Sequence, residues 1–307
     1  MEGSKQDKAA ALAIEKIAWG SWREAYRLTH GPAEMVVVTE IGPRILSLRI
    51  GGGANILFED TGEFKKDQWN SYGGHRFWVG PETPHTYHAD NFPCAVEAQP
   101  GLLRITSPLD ASGLQKIMEI SADTETGGFI VNHRLRNTTT MLAQGTLWAL
   151  TCVVPNRIVV PWAAGNAGWN TPNVKFWTRW CDTATTDIES PQWKLRNDYF
   201  AVEPTGEIGK VGFYAERGFV ACLRGDATFI KAYPVLPGMP YPDGGCNLEL
   251  YTCDKLIEME TLSPFYTLCP GQEVSHAERW IVSAQTFQPE AWAKMKTLLP
   301  QGTGCFE

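Results

Sequence analysis

The feature that most constrains this chain is its punctuation. From Trp22 to Gln285, short runs rich in Val, Ile, Thr and aromatics are closed off every few residues by Gly, Pro, Asn or Asp. REAYRLTH, MVVVTEIG, RILSLRI and ANILFED open the series, and LLRITSP, LQKIMEISADT, GGFIVNHRLRNTT, GTLWALTCVVP and NRIVVPW continue it. Such segments suit a pleated, half-buried surface. Parallel pairing would need a crossover of a dozen or more residues between strands, usually a helix. No long amphipathic helix interrupts the runs, so the pattern predicts an all-β protein built from antiparallel sheets, a large two-sheet sandwich. No fixed-period repeat is visible, which argues against a propeller. Helical spacing occurs only at the ends. Ala9, Leu12, Ala13 and Ile17 predict a helix within residues 5–18, and PEAWAKMKTLL predicts another from Pro289 to Leu299. The expected organisation is a helical extension over 1–20, one β domain over 21–285, and a helix with tail over 286–307.

Composition removes several classes of partner. With 307 residues, 43% hydrophobic and 20% charged, the chain is long enough to bury a large core. A net charge of -7 without any basic run gives no footprint for a phosphate backbone, so nucleic acid is not an expected partner. No apolar stretch reaches bilayer-spanning length, and Glu15 and Lys16 break the N-terminal segment before it resembles a signal peptide. The expectation is a cytoplasmic protein with no membrane partner, or a periplasmic or secreted one where a leader has been removed. Eight cysteines are scattered without a CxxC pair, which reads as small buried thiols in a reducing compartment, with some bridging left open. The sequence sets no oligomeric state.

Two stretches carry chemistry. In ELYTCDKLIEMETLSPFYTLCPGQEVSHAERW, Glu249–Trp280, Glu258 and Glu260 lie two residues apart and therefore share one face of a strand. Acids there mark either a polar site or an ordinary solvated face. The second stretch, YGGHRFWVGPETPHTYH from Tyr72 to His88, gathers His75, His85, His88, Arg76, Glu82 and aromatics. His75, Glu82, His85 and His88 are metal-ligand types, but their spacing matches no template, so neither metal nor cofactor is expected. Sugars present apolar C–H faces beside many hydroxyls, which calls for aromatic platforms next to carboxylates, amides and guanidiniums. Trp78, Trp148, Trp162, Trp169, Trp177 and Trp180 offer such platforms, although a lone Trp more often fills a core.

The order GPRILSL, YGGHRFWVGPE, LRNTTTMLAQGTLWALT, YPDGGCNLELY, LIEMETLSP with LCPGQE, and ERWIV resembles the galactose mutarotase-like superfamily over residues 20 to 285. Within it the nearest likeness is to a little-characterised bacterial branch related to aldose 1-epimerases. The resemblance implies a β-supersandwich with a sugar-sized cleft. It also implies a late-strand glutamate as base and a histidine as acid. The motif MET makes Glu260 the counterpart of the base, with Glu258 the other register. The histidine is not at its usual place, where Trp148 stands instead. His75 is then the candidate acid, with Arg44 and Arg76 donating to substrate hydroxyls or a carboxylate. Lys231 and Tyr233 in FIKAYP and Asp243 in YPDGG stand where late loops of such folds approach the cleft mouth.

The expected activity is therefore acid/base catalysis at or near an anomeric carbon, on a small carbohydrate or glycoside. Two alternatives stand beside it. One is a carbohydrate-binding protein without catalysis. The other is a glycoside hydrolase or lyase, for which Glu82 and Glu260 would be the pair. Arg44, Arg76 and Lys231 keep sugar phosphates within the ligand class.

Overall fold

Pairing in this computed structural model, which describes residues 11–162, 173–180 and 184–300, is antiparallel throughout. An eleven-stranded sheet runs from the edge strand Ala13–Trp19 through Trp22–His30, Ala33–Val38, Arg44–Ile50, His75–Gly80, Ala143–Val153, Ile257–Leu262, Leu248–Thr252 and Gly209–Phe213 to Val174–Phe176. Tyr266–Leu268 adds to it beside Ala143–Val153. A ten-stranded sheet faces it, with Phe219–Leu223, Thr228–Ala232, Glu273–Ser283, Gly128–Asn137 and Leu114–Asp123 as its central run. The main core lies between the sheets, where Met35, Phe77, Phe129, Val131, Phe229 and Trp280 are fully or almost fully buried. No helix among the described residues is long and apolar enough to cross a membrane.

The ends differ in how they met expectation. Near the C-terminus the helical pattern becomes three consecutive short turns, Pro289–Ala291, Trp292–Met295 and Lys296–Leu298. Their Trp292 and Met295 cover the outer face of the second sheet at Tyr199, Phe219, Ile230 and Ile281. Near the N-terminus the expected helix over 5–18 is corrected, because Ala13–Trp19 is a strand of the first sheet; residues 1–10 lie outside the described residues. Gly20, at a φ of 54°, turns the chain so that this segment zips onto Trp22–His30. Cross-strand pairs of Glu15 with Arg27 at 3.0 Å and Lys16 with Glu24 at 2.9 Å follow. Tertiary pairing thus overrides a weak helical spacing.

The interior also holds a polar cluster that ties the sheets together. Lys231 and Glu278, on neighbouring strands of the second sheet, are both fully buried, with the ammonium 3.0 Å from the carboxylate. Lys231 reaches across the core and donates to the carbonyls of Ala149 at 3.0 Å and Met259 at 2.9 Å in the first sheet. Glu278 also accepts from the Thr261 hydroxyl and, at 2.7 Å, from the Trp280 indole. Burial pushes the Glu278 carboxyl up, but Lys231 overcomes this and holds it well below the usual carboxylate range. Removing one partner of such a pair leaves an uncompensated buried charge, which costs about 3–5 kcal/mol. Lys231→Met is therefore expected to lower unfolding stability by about that amount in urea titration, and adding Glu278→Gln should restore part of the loss. A loss under about 1 kcal/mol, the worth of a surface pair, would show that the pair is not structurally required.

Candidate functional site

Alternation along three neighbouring strands sets up the site. In His75–Gly80, His75 and Phe77 point into the core, so Arg76 and Trp78 point to the outer face of the first sheet. Cross-strand register carries that face onward: Trp78 lies opposite Trp148, and Arg76 and Glu260 both lie opposite Leu150. Glu260 then lies opposite Glu249, and Glu258 opposite Tyr251, which in turn faces Lys210. Within Ile257–Leu262, Met259 and Thr261 turn inward, leaving Glu258 and Glu260 outward with Leu262. The glycines before His75 make this placement possible. A Cβ on Gly74, whose φ is 63°, would sit 2.1 Å from the carbonyl oxygen of Ile45.

The centre of the face is a pair of glutamates around one lysine. Glu249 and Glu260 are directly opposite and about fully buried, an arrangement that two free carboxylates would disfavour. Lys210 stands between them, 2.9 Å from Glu249 Oε2 and 3.4 Å from Glu260 Oε2, with Glu82 at 3.8 Å. Burial pulls the Lys210 ammonium down, but Glu260, Glu249 and Glu82 overcome it and raise it well above its usual value. Burial pushes the Glu260 carboxyl well up; Lys210 opposes this and Glu258, Glu249 and Glu82 reinforce it. Glu249 is pushed up to about 7 by burial, with Lys210 opposing and Asp243 adding to the rise. The Oε2 of Glu260 also accepts from the Trp148 indole at 3.0 Å. The Oε1 atoms of Glu249 and Glu260 are each buried without a hydrogen-bond partner, as is Arg76 Nε nearby, while the Glu249 carboxyl also meets Asp243. Such atoms call for an explanation, and a polar ligand group would supply it.

Aromatic rings and cations form the flank. Trp78 and Trp148 meet edge to face at 5.5 Å, and Lys210 sits 5.1 Å over the Trp148 ring. Arg76 lies 4.4 Å over Trp78 and donates to the Asn70 carbonyl at 2.8 Å. Burial, then Arg44, pull its guanidinium down to about 10. Arg44 is spent on Asp90, at 2.8 Å and 2.9 Å from its two oxygens. Glu258, half-buried, accepts from the Cys152 thiol at 3.5 Å. Glu82 is exposed and accepts from the Tyr87 hydroxyl. Trp177 approaches the strand Gly209–Phe213 closely at Gly212, where a Cβ would be 2.7 Å from the ring.

Among the residues expected from sequence, Glu260, Glu258, Arg76, Trp78, Trp148 and Glu82 come together here, and Arg44 lies opposite Arg76 on the neighbouring strand. Asp243 lies beside Glu249 at the margin, and its carbonyl accepts from Lys175 at 2.7 Å. Three others do not arrive. His75 is fully buried between the sheets, with Nδ1 2.9 Å from Thr151 Oγ1 and Nε2 2.7 Å from His133 Nε2. Being adjacent in a strand, it and Arg76 face opposite ways. Lys231 and Tyr233 lie in the second sheet and its core, the latter near His276 with ring centroids 6.5 Å apart. His88 is exposed; the His85 side chain, Trp169 and the cysteines Cys181 and Cys305 lie outside the described residues. The six described cysteines are free thiols. Glu249 and Lys210 were missed, and the available signal was a charge within each of the apolar runs NLELY and IGKVGF.

His75, His133 and Glu278 bring ligand atoms within 4.8 Å of one another, the donor types of a metal centre. Their capacity is already used. His133 Nδ1 meets the His276 carbonyl at 2.9 Å, His75 is bonded at both ring nitrogens, and Glu278 is held by Lys231, Thr261 and Trp280. The cluster is a closed hydrogen-bond network.

No family model matches the sequence, and no curated protein does. Solved structures do match. A galactose mutarotase-like protein from Lactobacillus casei superposes with a TM-score of 0.58 at 11% identity, covering 84% of this chain and 100% of its own. The chain has the galactose mutarotase-like fold. A second such protein, from Clostridium acetobutylicum, gives 0.58 at 12% identity over 90% of this chain and 99% of its own. A galactose mutarotase related enzyme from Lactobacillus acidophilus gives 0.54 at 9% identity, over 86% and 99%. In this mutarotase-like sandwich the paired glutamates lie on two central strands of the first sheet.

Titration of the pair should be visible in stability. A folded-state value of about 7 for Glu249 against an ordinary 4.5 means the native state holds more protons than the unfolded state between those pH values. Its contribution to stability therefore falls as pH rises from about 4.5 to about 7, and is constant outside that window. Glu249→Gln should remove this part of the slope, so the stability difference between variant and wild type should grow in the variant's favour across the window. Parallel pH profiles in thermal melts would contradict it.

Proposed function

We propose that the protein is a carbohydrate-active enzyme working at or near an anomeric carbon by acid/base catalysis, centred on Glu260 and Glu249. The observation that carries this is the pair of buried, unpartnered Oε1 atoms on two carboxyls that share one lysine. Burial favours the neutral form of Glu260, and Lys210 favours one negative charge on the pair. One carboxyl can then donate while the other accepts. Around a free aldose, the neutral carboxyl gives its proton to the ring oxygen and the anionic one takes the proton of the anomeric hydroxyl. The bond between the anomeric carbon and the ring oxygen breaks, leaving an open-chain aldehyde. Rotation of the aldehyde and closure by the reverse transfers give the other anomer and restore both groups. With Glu260 held neutral by burial, it takes the acid role expected of His75, and Glu249 takes the base role that the resemblance gives to Glu260. The fold shared with galactose mutarotase-like proteins supports the reading.

A second reading, binding without catalysis, draws support from Trp148, whose indole already holds Glu260 Oε2. Exchange between α and β anomers by NMR over a panel of free aldoses separates the two. Acceleration over buffer that drops by about 10²-fold or more in Glu260→Gln and in Glu249→Gln is the expected result. Ligand-induced shifts without acceleration would overturn catalysis in favour of binding, and cleavage of glycosides by the wild type would move the chemistry to a glycosidic bond.

A further inference from the structure

We propose that Trp69 and Tyr87 form an outer subsite holding a second sugar ring, so that the preferred ligand is a di- or oligosaccharide rather than a free monosaccharide. The inference rests on the carbohydrate reading of the Glu260 site and extends it. Trp69 is 39% exposed and Tyr87 42%, yet neither sits loosely. The two rings meet edge to face with centroids 5.6 Å apart. Arg76 lies 5.1 Å over the Trp69 ring, and the same guanidinium covers Trp78 at 4.4 Å.

The loop bearing Trp69 is fixed by side-chain amides. Asn70 Nδ2 donates to the carbonyls of Lys65 at 2.9 Å and Gln68 at 3.0 Å, while its Oδ1 accepts from the Lys65 amide at 3.2 Å. Buried Asn91 donates to the carbonyls of Lys66 at 3.0 Å and Gln68 at 2.6 Å. The ring packs on buried Trp78 with one part and leaves the rest exposed, and on a braced loop it has already lost the freedom that binding would otherwise take away. Its exposed C–H-accepting surface suits the apolar side of a pyranose. Tyr87 sets a hydroxyl-binding group beside it, because its own hydroxyl holds the exposed carboxylate of Glu82.

Position gives the subsite its meaning. Trp69 packs on Trp78 with centroids 6.2 Å apart, Trp78 on Trp148 at 5.5 Å, and Trp148 donates to Glu260. The exposed rings are thus two aromatic contacts removed from the reacting carboxyls. A ring seated against Glu260 leaves Trp69 for the next ring along the chain.

Isothermal titration tests this with glucose and galactose against maltose, cellobiose, laminaribiose, isomaltose and lactose, on wild type and Trp69→Ala. At least one disaccharide should bind the wild type about ten-fold tighter than its monosaccharide, and Trp69→Ala should erase that advantage while leaving monosaccharide affinity within about two-fold. Trp69→Phe, which keeps a ring, should retain most of it. Monosaccharide binding with no disaccharide gain, or equal losses for both classes in Trp69→Ala with an unchanged circular dichroism spectrum, would overturn the outer subsite alone. Binding of no sugar would overturn the carbohydrate reading together with it.

Discussion

The strand Ile257–Leu262 is held from behind by a buried charge. Lys231 crosses from the second sheet to the carbonyl of Met259, the residue between Glu258 and Glu260. A lysine in the core loses its hydration, a penalty of several kcal/mol after relaxation, and burial does push its ammonium below the usual value. Glu278 and two main-chain carbonyls return that cost only if all of them stay where they are. The arrangement therefore fixes the spacing between the sheets at the point where the outward carboxyls are mounted. Thr261 adds a second anchor, since its hydroxyl donates to the same Glu278 and lies 3.1 Å from His276 Nε2.

The outer face repeats the motif with the opposite purpose. Lys210 on one side of the strand and Lys231 on the other are both buried among carboxylates. Inside, Glu278 has each oxygen satisfied. Outside, Glu249 and Glu260 each keep an oxygen unpaired, and three glutamates crowd one ammonium. A structural ion pair gains from full satisfaction, whereas a group that must exchange protons or grip a ligand has to retain capacity. The contrast between the two lysines lies in how fully their carboxylate partners are satisfied, not in burial, because both are buried.

Sequence carried the sheet pattern and the outward pair in EMET, Glu258 and Glu260, since a spacing of two residues fixes a shared face whatever the surrounding topology. The same rule, applied to HRFW, separates His75 from Arg76 and ties it to Phe77. Composition drew those two neighbours into one site; periodicity assigns them to opposite faces. Lys231 in FIKAYP follows suit, sharing its face with Phe229 and Tyr233, both buried. What no local pattern could supply is the meeting of Glu249 with Lys210 and Glu260, because register between strands is settled by long-range pairing. The N-terminal strand failed for a related reason: its partner, not its own spacing, decides its conformation.

Placement of the cations also narrows the ligand. Arg44, Arg76 and Lys231 suggested a phosphate site when taken as free charges, but each has an occupation. Arg44 is bound to Asp90, Lys231 faces the core, and Arg76 is stacked between Trp69 and Trp78 with its NH2 group on main-chain carbonyls. The remaining ammonium at the centre, Lys210, is outnumbered by Glu82, Glu249 and Glu260. A phosphate dianion brought there would meet the burial, and then the carboxylate repulsion, that push the Glu260 carboxyl up. The local field disfavours any added negative charge at the two unpaired oxygens.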